Sequence, residues 1–267
     1  MAGGNGEGNS LNQLRYPRGV AMDGLGNIYV ADTDNSRIMK WTPGASEGIS
    51  IITGVYSMGI HVDSSGNIFV SDYNAHRVLK YTLSDGSYTQ SVIAGGNNSG
   101  NSLNQLNRPW GIYLDSSETL YVADTYNHRI MKWSSGASQG VLVAGGNNEG
   151  NALNQLRYPR SVNVDSSGNI YVSDSDNNRI VKWAPNSNQG VDLLGNVYQP
   201  REIKFDSQQN LFVVMHNDQN IRKYSFFNGT YSNSSYSDLS SDFNNDNINY
   251  PNGIYIDEFD NIYVADR

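Results

Sequence analysis

Cysteine is absent from the 267 residues, which excludes a disulfide framework, a thiolate zinc site and a thiol nucleophile. Histidine is scarce, with four residues, so a site built on several imidazoles has little to draw on. Charge is low as well: Asp, Glu, Lys and Arg make up 16%, where a globular domain averages roughly 25%. Long surface helices are rich in those residues, so the shortage favours strands and turns. Acid outnumbers base, 26 to 18, and the net charge of -8 disfavours indiscriminate attachment to nucleic acid or an anionic membrane. No apolar run approaches the roughly 18 residues of a spanning helix, so membrane insertion is not expected. The Gly/Asn-rich stretch after Met1 has neither the charged start nor the apolar middle of a secretory signal, which leaves the compartment open.

What the chain has in quantity is Gly, Tyr and internal repetition. The segment YPRGVAMDGLGNIYVADTDNSRIMKW from Tyr16 returns as YSMGIHVDSSGNIFVSDYNAHRVLKY from Tyr56, RPWGIYLDSSETLYVADTYNHRIMKW from Arg108 and YPRSVNVDSSGNIYVSDSDNNRIVKW from Tyr158. Weaker copies begin at Tyr198 and Tyr250. The first Asp of each copy falls at Asp23, Asp63, Asp115, Asp165, Asp206 and Asp257, a spacing of 40 to 52 residues that suits a four-stranded propeller blade. Within the first unit, Gly19 to Asp23, Asn27 to Asp32 and Arg37 to Trp41 read as strands. Apolar runs such as Ile49 to Thr53, Ser91 to Ala94 and Val141 to Ala144 supply a fourth. The expected units lie near 15–54, 55–106, 107–156, 157–197, 198–248 and 249–267 of one domain, with 1–14 belonging to the closing blade.

The recurring string G-V-x-x-D-x-x-G-N-I-Y-V-A-D-x-x-N-x-R-I-x-K-W resembles the NHL repeat. The resemblance implies an all-β, six-bladed propeller whose sixth blade is incomplete here, and a binding face of the kind presented by ubiquitin ligases of the tripartite-motif type. It also admits RNA-binding NHL domains and metal-dependent propeller enzymes such as amidating lyases and lactonases, because fold does not settle function.

Most of the repeated residues have structural readings. Asp32, Asp72, Asp124 and Asp174 precede Arg37, Arg77, Arg129 and Arg179 by five positions; in the fifth unit both members change together, to Met215 and Asn220, as expected of pairs across a hairpin. On that reading Met215 is indifferent to polar exchange. The first Asp of each unit suits a turn cap. Trp41, Tyr81, Trp133, Trp183 and Tyr224 are expected to stack on the next blade. Lys40, Lys80, Lys132, Lys182 and Lys223 are expected to form a solvated rim. Three near-copies, GGNGEGNSLNQL from Gly3, GGNNSGNSLNQL from Gly95 and GGNNEGNALNQL from Gly145, read as ordered polar loops with too few carboxylates for calcium.

Function is sought where the repeats differ. The position before the motif Gly, beside the channel mouth, runs Arg18, Met58, Trp110, Arg160, Arg201 and Asn252. Arg15, Arg108 and Arg157 lie close in sequence, so six Arg are expected at one mouth. Arg with Trp is a common anchor for carboxylate, phosphate or peptide, and Arg18, Met58, Trp110, Arg160, Arg201, Asn252 and Arg108 form the candidate binding set. Its competing explanation is charge balance with Asp34 and Asp176.

Of the histidines, His61 alone sits at a channel-lining position, in a column with Ala21, Tyr113, Asn163, Lys204 and Tyr255; His76 and His128 read as exposed turn residues. The several inward His implied for an amidating lyase are missing, and no G-x-S-x-G occurs. The expectation is therefore a non-catalytic scaffold with no metal or cofactor and a protein or peptide partner, RNA being disfavoured. The sixth unit stops after two strands, at Arg267. This leads to the expectation that the native polypeptide continues with an N-x-R-I-x-K-W-like segment and begins before Met1, and that an open edge favours self-association.

Overall fold

Alternating Val, Ile and Tyr residues punctuated by Gly, Asn and Asp dictate short strands and tight turns, and the computed structural model is built from these. It describes residues 2–239 and 248–267; the stretch 240–247 of the fifth unit and Met1 lie outside them. Blade one comprises Pro17–Met22, Ile28–Asp32, Arg37–Trp41 and Ile49–Thr53. Blade two follows with Ser57–Val62, Ile68–Asp72, Arg77–Ser84 and Ser87–Gly95. Its long outer hairpin turns at Asp85 and Gly86, both at positive φ, as a two-residue Asp-Gly turn requires. Blade three is Pro109–Leu114, Leu120–Asp124, Arg129–Trp133 and Val141–Gly145. Blade four is Pro159–Val164, Ile170–Asp174, Arg179–Trp183 and Val191–Gly195. Blade five is Pro200–Phe205, Leu211–Met215, Asn220–Tyr224 and Tyr236–Asp238.

The sixth unit contributes Gly253–Ile256 paired with Ile262–Ala265, a two-stranded sheet. The expected count of six blades is thus corrected: the described residues form five four-stranded blades and one two-stranded sheet. Strand pairing decides the difference, because only five units supply third and fourth strands.

First strands line the centre, each beside the first strand of the neighbouring blade, and Gly253–Ile256 lies between those of blades five and one. Glycine makes this approach feasible. A Cβ on Gly59 would sit 2.7 Å from the Trp110 carbonyl oxygen, and one on Gly19 3.2 Å from that of Met58. Buried hydroxyls tie the blades together: Ser71 Oγ donates to Trp110 O at 2.5 Å, Thr33 Oγ1 to Ser57 O at 2.7 Å and Thr125 Oγ1 to Pro159 O at 2.8 Å.

The Asp–Arg columns pair across the second hairpin, with Arg37, Arg129 and Arg179 Nε each 2.7 Å from the carboxylate of Asp32, Asp124 and Asp174. The same guanidiniums donate to carbonyls of the Gly/Asn loops, Arg129 reaching Asn101, Ser102 and Gln105. One side chain therefore fixes both its hairpin and an ordered loop. The first Asp column caps its turn as expected: Asp23 Oδ1 accepts from the Leu25 and Asn27 amides.

Four expectations are corrected. The terminal aromatics are buried, but Trp133 and Trp183 pack on residues of the preceding blade, such as Val78 and Ile130, rather than on the next. The Lys column is no free rim, since Lys40, Lys80, Lys132, Lys182 and Lys223 lie 5.1 to 5.6 Å from the ring centroid of the aromatic opposite, on the second strand. Met215 is fully buried in an apolar cluster, so a polar residue there would lose its solvation without a partner. His76 and His128 are half-buried at positive φ, and their Nδ1 atoms accept the backbone amides of Arg108 and Tyr158 from the following blade.

Candidate functional site

Because successive first strands lie side by side around the centre, the residues before the glycine column converge at one mouth. Trp110 is its hub. The guanidinium carbons of Arg18, Arg160 and Arg201 lie 5.4, 4.9 and 5.3 Å from the Trp110 ring centroid. Three residues far apart in sequence thus share one indole, an arrangement that concentrates positive charge on a net-acidic protein.

These cations are poorly compensated. Arg18 donates to Asn252 Oδ1 at 3.3 Å, and Arg160 has Asp176 at 4.0 Å, the limit of an ion pair. Arg18 Nε, Arg160 Nε and Nη1, and Arg201 Nε are buried with no hydrogen-bond partner. Asp34, the other proposed counter-charge, instead accepts from the Tyr56 hydroxyl at 3.0 Å. Burial, with Arg160 and Arg18 alongside, pushes Arg201 down to about 8. Burial likewise lowers Arg160, against the pull of Asp176. Charge balance with Asp34 and Asp176 therefore does not account for the cluster.

The rest of the candidate set divides. Asn252 is buried against Arg18, and Met58 is buried on the same ring of positions. Arg108 is exposed and lies outside the Trp110 cluster, over Tyr73 at 5.3 Å and Tyr126 at 4.9 Å. Arg15 and Arg157 are answered by Glu7 and Glu149 at 3.2 and 2.8 Å. The expectation of six Arg at the mouth is corrected to three, with Arg108 on an aromatic arc beside them.

That arc escaped the sequence reading. Tyr73 meets Trp110 edge-on at 5.9 Å and Tyr126 at 6.2 Å, and Tyr126 meets Tyr158 at 5.2 Å. Tyr73 and Tyr126 stand in different columns, the first and second turn positions of their units, whereas Tyr56 and Tyr158 share one, just ahead of the first strands. That recurrence was a usable signal, whereas their union into one surface was not.

Deeper in the ring, His61 is held near 4 chiefly by burial, with Lys204 adding to the effect. Lys204 pairs with Glu202 at 3.3 Å, and Glu202 accepts the Ile254 amide at 3.1 Å. Asn163 Oδ1 accepts the Val164 amide. Among the described residues no group of three or more His, Asp or Glu is placed to hold a metal ion.

The NHL repeat matches at residues 14–41, 106–133 and 156–183, within blades one, three and four. The chain is a β-propeller of the NHL-repeat kind. No curated protein matches it. Among solved structures, this NHL propeller is similar to a protein of unknown function from Bacteroides thetaiotaomicron, with TM-score 0.76 and 17% identity over 99% of this chain and 70% of that one. A gluconolactonase from Xanthomonas campestris gives TM-score 0.72 and 12% identity, over 96% and 84%. A chain of a nidogen–laminin complex gives 0.64 and 18%, over 82% and 79%. At these identities the likeness is one of fold, and the fold carries an enzyme in one case and belongs to a protein complex in another.

Proposed function

We propose that this NHL propeller is a non-catalytic recognition module that binds a protein or peptide through the mouth formed by Arg18, Trp110, Arg160 and Arg201, with Arg108 and the Tyr73–Tyr126 arc as its flank. The observation that carries this reading is the cluster of three guanidiniums on one indole with four buried nitrogens unpartnered. A buried donor without an acceptor costs about 1–3 kcal/mol, and more when charged, so the site is organised for an acceptor from outside. Carboxylate is the matching chemistry: an acidic side chain or chain terminus can take paired donors from Arg while aromatic residues cover the apolar remainder. Met58 and Asn252 shape and orient this mouth in the same proposal.

The test is capture with the intact chain against the triple variant R18M/W110A/R160M, followed by calorimetry with the partner recovered and with a peptide carrying its acidic segment. Loss of capture by a folded triple variant supports the reading. Undiminished capture, or tight one-to-one zinc or calcium binding together with turnover, would reject it in favour of another face or of a metal-dependent enzyme.

A further inference from the structure

Between the two-stranded sheet and blade one lies a groove of about 890 Å³, lined by Leu14, Val20, Ile28 and Val30 on one side and by Ile262 and Val264 on the other. In every four-stranded blade the second strand is paired on both sides, whereas Ile262–Ala265 is paired on one side, with Gly253–Ile256. The groove occupies the place that a third strand fills elsewhere.

Its walls show what it accepts. Between blades two and three, Val78 and Ala94 of the earlier blade pack on Leu106, Ile112, Leu120, Val122, Met131 and Trp133. The corresponding wall of blade one is Leu14, Val20, Ile28, Val30, Met39 and Trp41; Ala2 packs against it, but none of the described residues stands at the place of Val78. Leu14 and Ile28 are accordingly only half-buried, while their counterparts Leu106 and Leu120 are buried.

Charge supplies a second, independent signature. Asp266 repeats the role of Asp32, Asp124 and Asp174 in accepting the amide seventeen residues earlier, here that of Asn249. In the other three the second carboxylate oxygen receives an Arg Nε from the third strand. At Asp266 both oxygens lie 2.8 Å from the Asn249 amide, and among the described residues no cation meets the carboxylate. Burial raises Asp266 above its usual value, against the pull of the Asn249 and Arg267 amides.

We infer that this groove is a docking site for one extended strand of the repeat's own third-strand chemistry, Arg-(Ile/Val)-x-Lys-(Trp/Tyr), added to the free edge of Ile262–Ala265. The register follows from the complete blades, where Asp32 faces Arg37, Ala31 faces Ile38, Tyr29 faces Lys40 and Ile28 faces Trp41. The occupant's Arg pairs with Asp266, its Ile enters beside Leu14 and Ile28, its Lys lies over Tyr263 and its aromatic residue faces Ile262. Main-chain bonds to the edge give affinity, and the Arg and Ile pockets give register. This site is independent of the mouth and of the function proposed for it.

The experiment uses the whole chain and a peptide with the sequence of residues 125–135, TYNHRIMKWSS. Anisotropy and thermal unfolding should show saturable binding and a melting temperature that rises with peptide. Replacing the peptide's Arg with Leu, or making D266N in the chain, should weaken binding at least tenfold. A peptide with Asp in place of its Ile, or with the same residues scrambled, should not bind. Partial recovery when D266R meets a peptide carrying Asp for Arg would fix the register. Absence of binding to a chain shown to be folded, equal affinity for the scrambled peptide, or indifference to D266N overturns the proposal. So does a dimer joined through this groove that the peptide fails to dissociate, since the occupant would then be a second copy.

Discussion

Arg129 Nε stands 2.7 Å from Asp124 Oδ2 inside blade three, both groups buried, and the remaining nitrogens of the same guanidinium bind three carbonyls of the loop that precedes the blade. Desolvation raises Asp124, partly offset by Arg129 and by the amide and Asn donors around it. A pair so enclosed is held by geometry more than by net Coulomb gain, and removing one charge leaves the other stranded.

D124N should therefore cost about 3 kcal/mol in chemical denaturation. D72N should cost distinctly less, because the Arg77 side chain is 30% exposed against 8% for Arg129, so water can take over the released guanidinium. Equal losses at the two sites would show that burial does not set the cost.

Arg201 offers the opposite sign. Its guanidinium is buried beside two like charges with Nε unpartnered, so R201M should stabilise the unliganded protein by about 1 kcal/mol while weakening partner capture. Thermal unfolding of wild type and variant, with and without an acidic peptide, checks both halves. A variant that is less stable without ligand would mean that Arg201 supports the fold.

Gly59 sets the distance between the first strands of blades two and three. Its replacement by Ala places Cβ 2.7 Å from the Trp110 carbonyl and should cost about 1–3 kcal/mol by overpacking. Trp110 rides on that strand, so partner capture at the mouth should fall in parallel. Gly24 has open space around it, and G24A is the control that should change neither quantity.

His61 gives the pH dependence its direction. The unfolded side chain takes its proton near 6.5 and the folded one near 4, so between these values the unfolded chain binds more protons and stability falls as the solution is acidified. The loss from this group reaches about 3 kcal/mol near pH 4 and then levels off. H61Q should show a shallower decline across that window, read from denaturation midpoints at half-unit intervals; parallel curves for the two proteins would place the acid sensitivity elsewhere.

The sequence by itself determined the repeat unit, its strands and the pairing of Asp with Arg five residues on, because hairpin contacts are local and their periodicity is written in adjacent residues. It also marked the mouth column, since one position varies in chemistry where its neighbours do not. Tertiary structure decided the rest. Only the circular arrangement of first strands could bring Arg18, Arg160 and Arg201 onto Trp110, and only strand packing could turn the Lys column from a rim into caps over aromatic rings. The fate of Arg15, Arg108 and Arg157 was hidden for the same reason: sequence proximity put them near the mouth, but backbone direction aims them at Glu7, at Tyr73 and Tyr126, and at Glu149. Local chemistry is legible along the chain, whereas convergence of distant side chains depends on the closure of the ring.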